Sequence, residues 1–126
     1  MKKLNHTIEK YNLTGNPEII AVDFDSTLSL GGAFPGVGEP NEPLFAILRK
    51  MQEQGSKIIL WTCRGDESLK AAVEFMKANN LPPDAVNENI LHLRGLGEAK
   101  VYADIYIDDR ACLPESFIKQ FSAEAG

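Results

Sequence analysis

The hydrophobic positions of the chain fall alternately into short unbroken runs and longer periodic stretches. Glu18-Ile19-Ile20-Ala21-Val22-Asp23-Phe24-Asp25 is a nearly continuous apolar run that stops abruptly in acids. Continuous rather than alternating hydrophobicity predicts a strand buried on both faces of a parallel sheet. Lys57-Ile58-Ile59-Leu60-Trp61-Thr62 repeats the pattern and predicts a second buried strand, with Trp61 in the core. Ala85-Val86-Asn87 offers a short third strand, and Asp104-Ile105-Tyr106-Ile107-Asp108-Asp109 a fourth that again ends in acids. Between the first two, Leu44, Ile47, Leu48 and Met51 recur at helical spacing, with Gly55 as a stop. Ser68 to Asn80 predicts a second helix carrying Leu69, Ala72, Val73 and Met76 on one face, broken by Leu81-Pro82-Pro83-Asp84. Glu115 to Phe121 predicts a closing helix. Strands alternating with helices predict an α/β fold with a parallel sheet covered on both sides.

The remaining stretches are punctuation. Residues 1–17 carry Leu4, Ile8, Tyr11 and Leu13 without a clean period and read as an arm or short helix packed on the body. Residues 26–43 are rich in Gly and Pro and predict a loop or flap. Asn87 to Gly97 is polar, and His92 within it reads as a solvent-loop residue. At 126 residues the chain fits a single domain. Its composition, 44% hydrophobic and 25% charged, is that of an ordinary globular protein rather than a disordered one. No apolar run approaches the roughly 20 residues that span a bilayer, and no apolar stretch follows the basic Met1-Lys2-Lys3 start as a secretory signal would require. Two cysteines, Cys63 and Cys112, lack metal-ligand spacing and read as reduced thiols, so a cytoplasmic location is expected. The net charge of −5 weighs against a nucleic-acid partner, although a cation bound among the acids would reverse the sign locally.

Candidate chemistry lies where the runs end. Ligands of open α/β sheets bind at the carboxyl ends of the strands. There the first strand presents Asp23 and Asp25, the second Thr62, and the fourth Asp108 and Asp109. Alternation along the first strand predicts Asp23 and Asp25 on one side and Phe24 on the other. Carboxylates crowded on one rim repel unless a cation joins them, and an oxygen-only set without His or Cys suits Mg²⁺. Arg64 and Arg110, beside Thr62 and the acid pair, could each bind a phosphate or form a structural ion pair. Cys63 has no His placed to activate it as a nucleophile.

These residues resemble the motifs of the haloacid dehalogenase superfamily of phosphotransferases. Asp23-Phe24-Asp25-Ser26-Thr27-Leu28 is similar to its first motif, Asp-x-Asp-x-Thr, and Ile58-Ile59-Leu60-Trp61-Thr62 to its second. Lys100 stands before the fourth strand, where the third motif has its lysine, and Ile107-Asp108-Asp109 resembles the paired-acid fourth motif. The resemblance runs from about Glu18 to Cys112 and implies a three-layer, Rossmann-like sheet. It implies a Mg²⁺-dependent phosphohydrolase acting on a small phosphorylated substrate. Asp23 would be the nucleophile, and Asp25 the acid and then the base, with its backbone carbonyl on the metal. Thr62 and the neighbouring backbone at Cys63 would hold phosphoryl oxygens, and Lys100 would neutralise charge on the nucleophile and the phosphate. Asp108 would ligate Mg²⁺, with Asp109 as a further acid at the site. Ser26 stands where many members have Gly, which is tolerable unless the position needs a positive φ. Neither 26–42 nor 87–103 is long enough for a folded cap, so a capless, open site is expected, covered by a partner copy in a homo-oligomer or shielded by a large substrate.

Two other readings compete. Ile107-Asp108-Asp109-Arg110 looks like the matching stretch of polynucleotide kinase phosphatase domains, which would make the substrate a nucleic-acid end; the acidic balance counts against it. A signalling receiver domain has a similar length and acid–Thr–Lys set, but its phosphoacceptor follows the third strand, where Ala85-Val86-Asn87 supplies no Asp.

Overall fold

The computed structural model describes residues 17–90 and 100–125; the arm expected at 1–17, apart from Pro17, lies outside them, as do His6 and His92. Among the described residues, four strands form one parallel sheet: β1 (Ile19–Val22), β4 (Lys57–Leu60), β5 (Ala85–Val86) and β6 (Ile105–Ile107), in the order β5-β4-β1-β6. The fold is a three-layer, Rossmann-like α/β arrangement in which the described residues form the helices α1 (Glu42–Glu53), α2 (Asp66–Ala78) and α3 (Pro114–Ala125).

β1 is central, and all four of its residues are buried, which is why its sequence is uniformly apolar. Ile20 and Val22 face one side, where Phe45 and Leu48 of α1 and Ala72 and Met76 of α2 meet them. Burying one such side chain contributes about 1.5–3 kcal/mol. Ile19 and Ala21 face the other side with Ile59. That face is covered by Ile90, Val101 and Ala103, from the chain between β5 and β6. The coverage expected on both sides is therefore present, but α1 and α2 share a single face.

Local chemistry explains the helix ends. α1 has Pro43 in its first turn, Glu42 beside its positive end and Lys50 in its last turn. α2 begins with Asp66 and Glu67. Acids at the amino ends of strands are structural: Asp104 accepts from the N–H groups of Glu18 and Ile19, and Asp84 from that of Ile58.

The flap expected at 26–43 contains a small antiparallel ribbon, β2 (Ser29–Leu30) with β3 (Glu39–Pro40). It closes tightly. Gly32 has φ of +72°, and a Cβ on Gly38 would collide with the carbonyl oxygen of Leu30. Among the described residues, no helix is long and apolar enough to cross a membrane.

Candidate active site

Sheet register sets the rim. Val22 of β1 lies level with Leu60 of β4 and Ile107 of β6, and Leu60 is level with Val86 of β5. The next residues, Asp23, Trp61, Asp108 and Asn87, therefore stand at one height. Adjacent strands are about 4.8 Å apart, so Asp23 and Asp108 are neighbours by register alone. One carboxylate oxygen from each of Asp23, Asp108 and Asp109 lies within 4.8 Å of the other two. Such an all-oxygen set could hold a hard divalent cation.

Thr27 clamps this cluster. Its hydroxyl donates to Asp23 Oδ2 at 3.2 Å and accepts from the Asp109 N–H at 3.3 Å, joining the loop after β1 to the end of β6. Thr27 is buried and its carbonyl accepts from the Asn41 side chain at 3.0 Å. Burial, aided by the charge of Asp108 and contact with Asp109, pushes the Asp23 carboxyl from its ordinary 3.8 up to about 6. The Phe24 N–H and the Thr27 hydroxyl pull the other way.

Thr62 stands at the end of β4, as the strand pattern predicts. Its N–H donates to Asn87 Oδ1 at 2.8 Å, and its hydroxyl oxygen accepts from the Arg64 N–H at 3.2 Å. Among the described residues nothing accepts its hydroxyl hydrogen, which could serve an incoming anion. Cys63 is exposed beside it as a free thiol.

Three expected placements change. Asp25 does not accompany Asp23: both its oxygens accept from Arg64, at 2.8 and 3.0 Å. The alternation argument fails because strand pairing ends at Val22, and the chain then turns. Ser26, Leu28 and Ser29 fold back through bonds to Ser29 O and Phe24 O, with Ser26 at φ of +65°. The Ser at this position therefore does occupy the left-handed region that favours Gly. Only the backbone carbonyl of Asp25 is left for the metal role expected of it.

Arg64, expected to bind substrate, is 4% exposed and its N–H groups are committed to protein acceptors. Lys100, expected to neutralise the nucleophile, is exposed, with its ammonium 5.3 Å from the Tyr106 ring centre. The segment that follows it is buried at Val101 and Ala103, in the sheet face opposite α1 and α2. Among the described residues Lys100 makes no ion pair.

Sequence reasoning gave no role to Thr27, Asn87 or Phe34. Thr27 sits inside the Asp-x-Asp-x-Thr pattern, and Asn87 follows β5 at the height of the other rim residues, so both carried a signal. Phe34, in the flap, carried none.

No protein-family model matches the chain, and no curated protein matches it. A solved structure of a conserved protein from Bacteroides thetaiotaomicron is similar, with 30% sequence identity and a TM-score of 0.67, covering 88% of this chain and 93% of that one. With identity at that level across nearly the full length of both, the chain belongs to the family of this conserved Bacteroides thetaiotaomicron protein.

Proposed function

We propose that the protein is a Mg²⁺-dependent phosphohydrolase of the haloacid dehalogenase type, cleaving a small phosphomonoester through an aspartyl-phosphate on Asp23. The observation that carries this reading is the meeting of Asp23, Asp108 and Asp109 at the carboxyl ends of β1 and β6. Asp23, Asp108 and the carbonyl of Asp25 would hold the cation, with Asp109 beside them. The cation, when bound, supplies positive charge against the phosphoryl oxygens.

The residues divide the remaining work. A carboxylate oxygen of Asp23 attacks phosphorus, and the bond from phosphorus to the leaving oxygen breaks. Thr27 holds Asp23 in line through its hydroxyl. Asp25, whose side chain is 48% exposed, takes up a proton from water and passes it to the leaving oxygen. It then takes a proton from the water that attacks the phosphorylated Asp23, and inorganic phosphate leaves with Asp23 restored. The Thr62 hydroxyl donates to a phosphoryl oxygen. Arg110, next to the acid pair and without an ion-pair partner among the described residues, takes the phosphate-binding part first given to Arg64. Lys100 is left out of the steps because its ammonium rests on Tyr106.

The test is a screen of phosphomonoesters with Mg²⁺, run beside Asp23→Asn and beside excess EDTA. Turnover by the wild type, lost in the variant and in EDTA, is expected. Equal turnover by wild type and variant would refute the nucleophile, and activity that persists in EDTA would refute the metal site.

A further inference from the structure

Arg64 is a cation buried almost completely beside a site read as binding another cation, and each of its five N–H groups has an acceptor. Nε and Nη2 donate to the two oxygens of Asp25 at 3.0 and 2.8 Å. Nη2 also donates to Gly36 O at 2.7 Å, and Nη1 to Pro35 O at 2.8 Å and Ser68 O at 3.1 Å. Guanidinium has no sixth donor, so nothing remains for a substrate. The plane is also covered by rings: Cζ lies 4.8 Å from the centre of Phe24 and 5.1 Å from that of Phe34. Phe24 is fully buried, whereas Phe34 is 66% exposed. An exposed Phe at a flap tip would otherwise be costly; here its inner face shields the guanidinium.

The acceptors belong to three separate pieces of chain: the turn after β1, the flap, and the first turn of α2. Among the described residues, the tip of the flap is otherwise held by bonds within the flap itself: the ribbon, the Gly36 N–H to Ala33 O at 2.8 Å and the Gly38 N–H to Ser29 Oγ at 2.7 Å. Lysine could not replace this fork, since three donors on one nitrogen cannot span a carboxylate and three carbonyls.

We propose that Arg64 is a positioning residue that ties the flap to Asp25, so that the flap and the acid–base group of the site hold or lose their places together. The catalytic part of this proposal rests on the phosphohydrolase reading; the mechanical part does not. Loosening Arg64 frees the Asp25 carboxylate and the Pro35–Gly36 carbonyls at once. The chemical consequence depends on the leaving group. An alkoxide leaves only with a proton from Asp25, whereas a nitrophenolate leaves without one.

The experiment compares wild type, Arg64→Lys and Asp25→Asn by hydrogen exchange and by turnover. Asp25→Asn retains Arg64 and serves if Arg64→Lys does not fold. In both variants the Gly36 and Gly38 amides are expected to exchange at least about tenfold faster than in wild type, with the Phe45 amide of α1 unchanged. Unchanged flap exchange would overturn the tie whatever the protein hydrolyses. In turnover, Arg64→Lys is expected to lower kcat/KM for an alkyl phosphate by about 10- to 100-fold, and for p-nitrophenyl phosphate by less than about threefold. Equal losses on the two substrates would overturn the positioning role, because a merely structural defect does not distinguish leaving groups. A wild type that hydrolyses neither substrate would sink the phosphohydrolase reading, and flap exchange would still decide the tie.

Discussion

Replacing Asp23 by Asn in the metal-free protein removes a charge that the fold holds at a disadvantage. The carboxyl is raised from 3.8 to about 6, first by burial and then by Asp108 and Asp109. The folded state thus keeps a proton that the unfolded state has lost, and stability falls as pH rises from about 4 to about 6. Below that window both states are protonated and the disadvantage vanishes; above it the disadvantage is complete. Two units correspond to a ceiling of about 3 kcal/mol at pH 7. Asp23 is only half-buried, and solvent screening reduces this to about 1 kcal/mol. For a chain of this size that is about 3–5 °C in Tm. Asn can still accept the Thr27 hydroxyl, so the substitution removes the charge without breaking that bond. The assay is thermal unfolding of both proteins in EDTA from pH 4 to 7.5. The variant is expected to melt above wild type at pH 7.5, by a margin that shrinks towards pH 4. Adding Mg²⁺ should raise the wild-type Tm and move the variant much less. Parallel Tm curves for the two proteins across pH 4 to 7.5 would refute the argument that Asp23 sits in a crowd of like charge.

Two further substitutions probe the frame of the site. Ser26→Gly relieves a left-handed residue whose side chain is exposed, and after the greater flexibility of unfolded Gly is subtracted it should stabilise by about 0.5 kcal/mol, read as a Tm gain of about 2 °C. A Tm loss would mean that Ser26 makes a contribution its exposure does not reveal. Thr27→Val keeps the shape and removes the hydroxyl that joins Asp23 to Asp109, so it should cost about 1–2 kcal/mol and lower turnover more than it raises KM. Wild-type turnover in this variant would show that Asp23 needs no clamp.

Much of the frame could be read from local pattern. The run Ile19–Val22 is apolar at every position because a central strand in a parallel sheet is buried on both faces, and the helical spacing of Leu48, Ala72 and Met76 marks the faces that cover it. The convergence of Asp23 with Asp108 was expected from the acids that end both runs, and the register that levels Val22 with Ile107 brings the residues after them to one height. Element ends were less legible: the strand predicted to reach Asp25 stops pairing at Val22, and the one predicted over 104–109 pairs at Ile105–Ile107. The flap ribbon β2–β3 has only two residues per strand, too few for a period to show.

What sequence could not reach was the partner of each charged side chain. Asp23 and Asp25 are two residues apart, yet one joins the acids of β6 and the other joins Arg64, 39 positions away. Arg64 and Arg110 each follow a strand end and look alike in sequence, but Phe24, Phe34 and three backbone carbonyls enclose only Arg64. Lys100 reads as a site lysine in sequence, and its contact with the Tyr106 ring has no signal there. Hydrophobic periodicity is a property of neighbours along the chain and sets element type and order. The pairing of a carboxylate or a guanidinium depends on which distant acceptors reach it once those elements have packed, and only the tertiary structure holds that information.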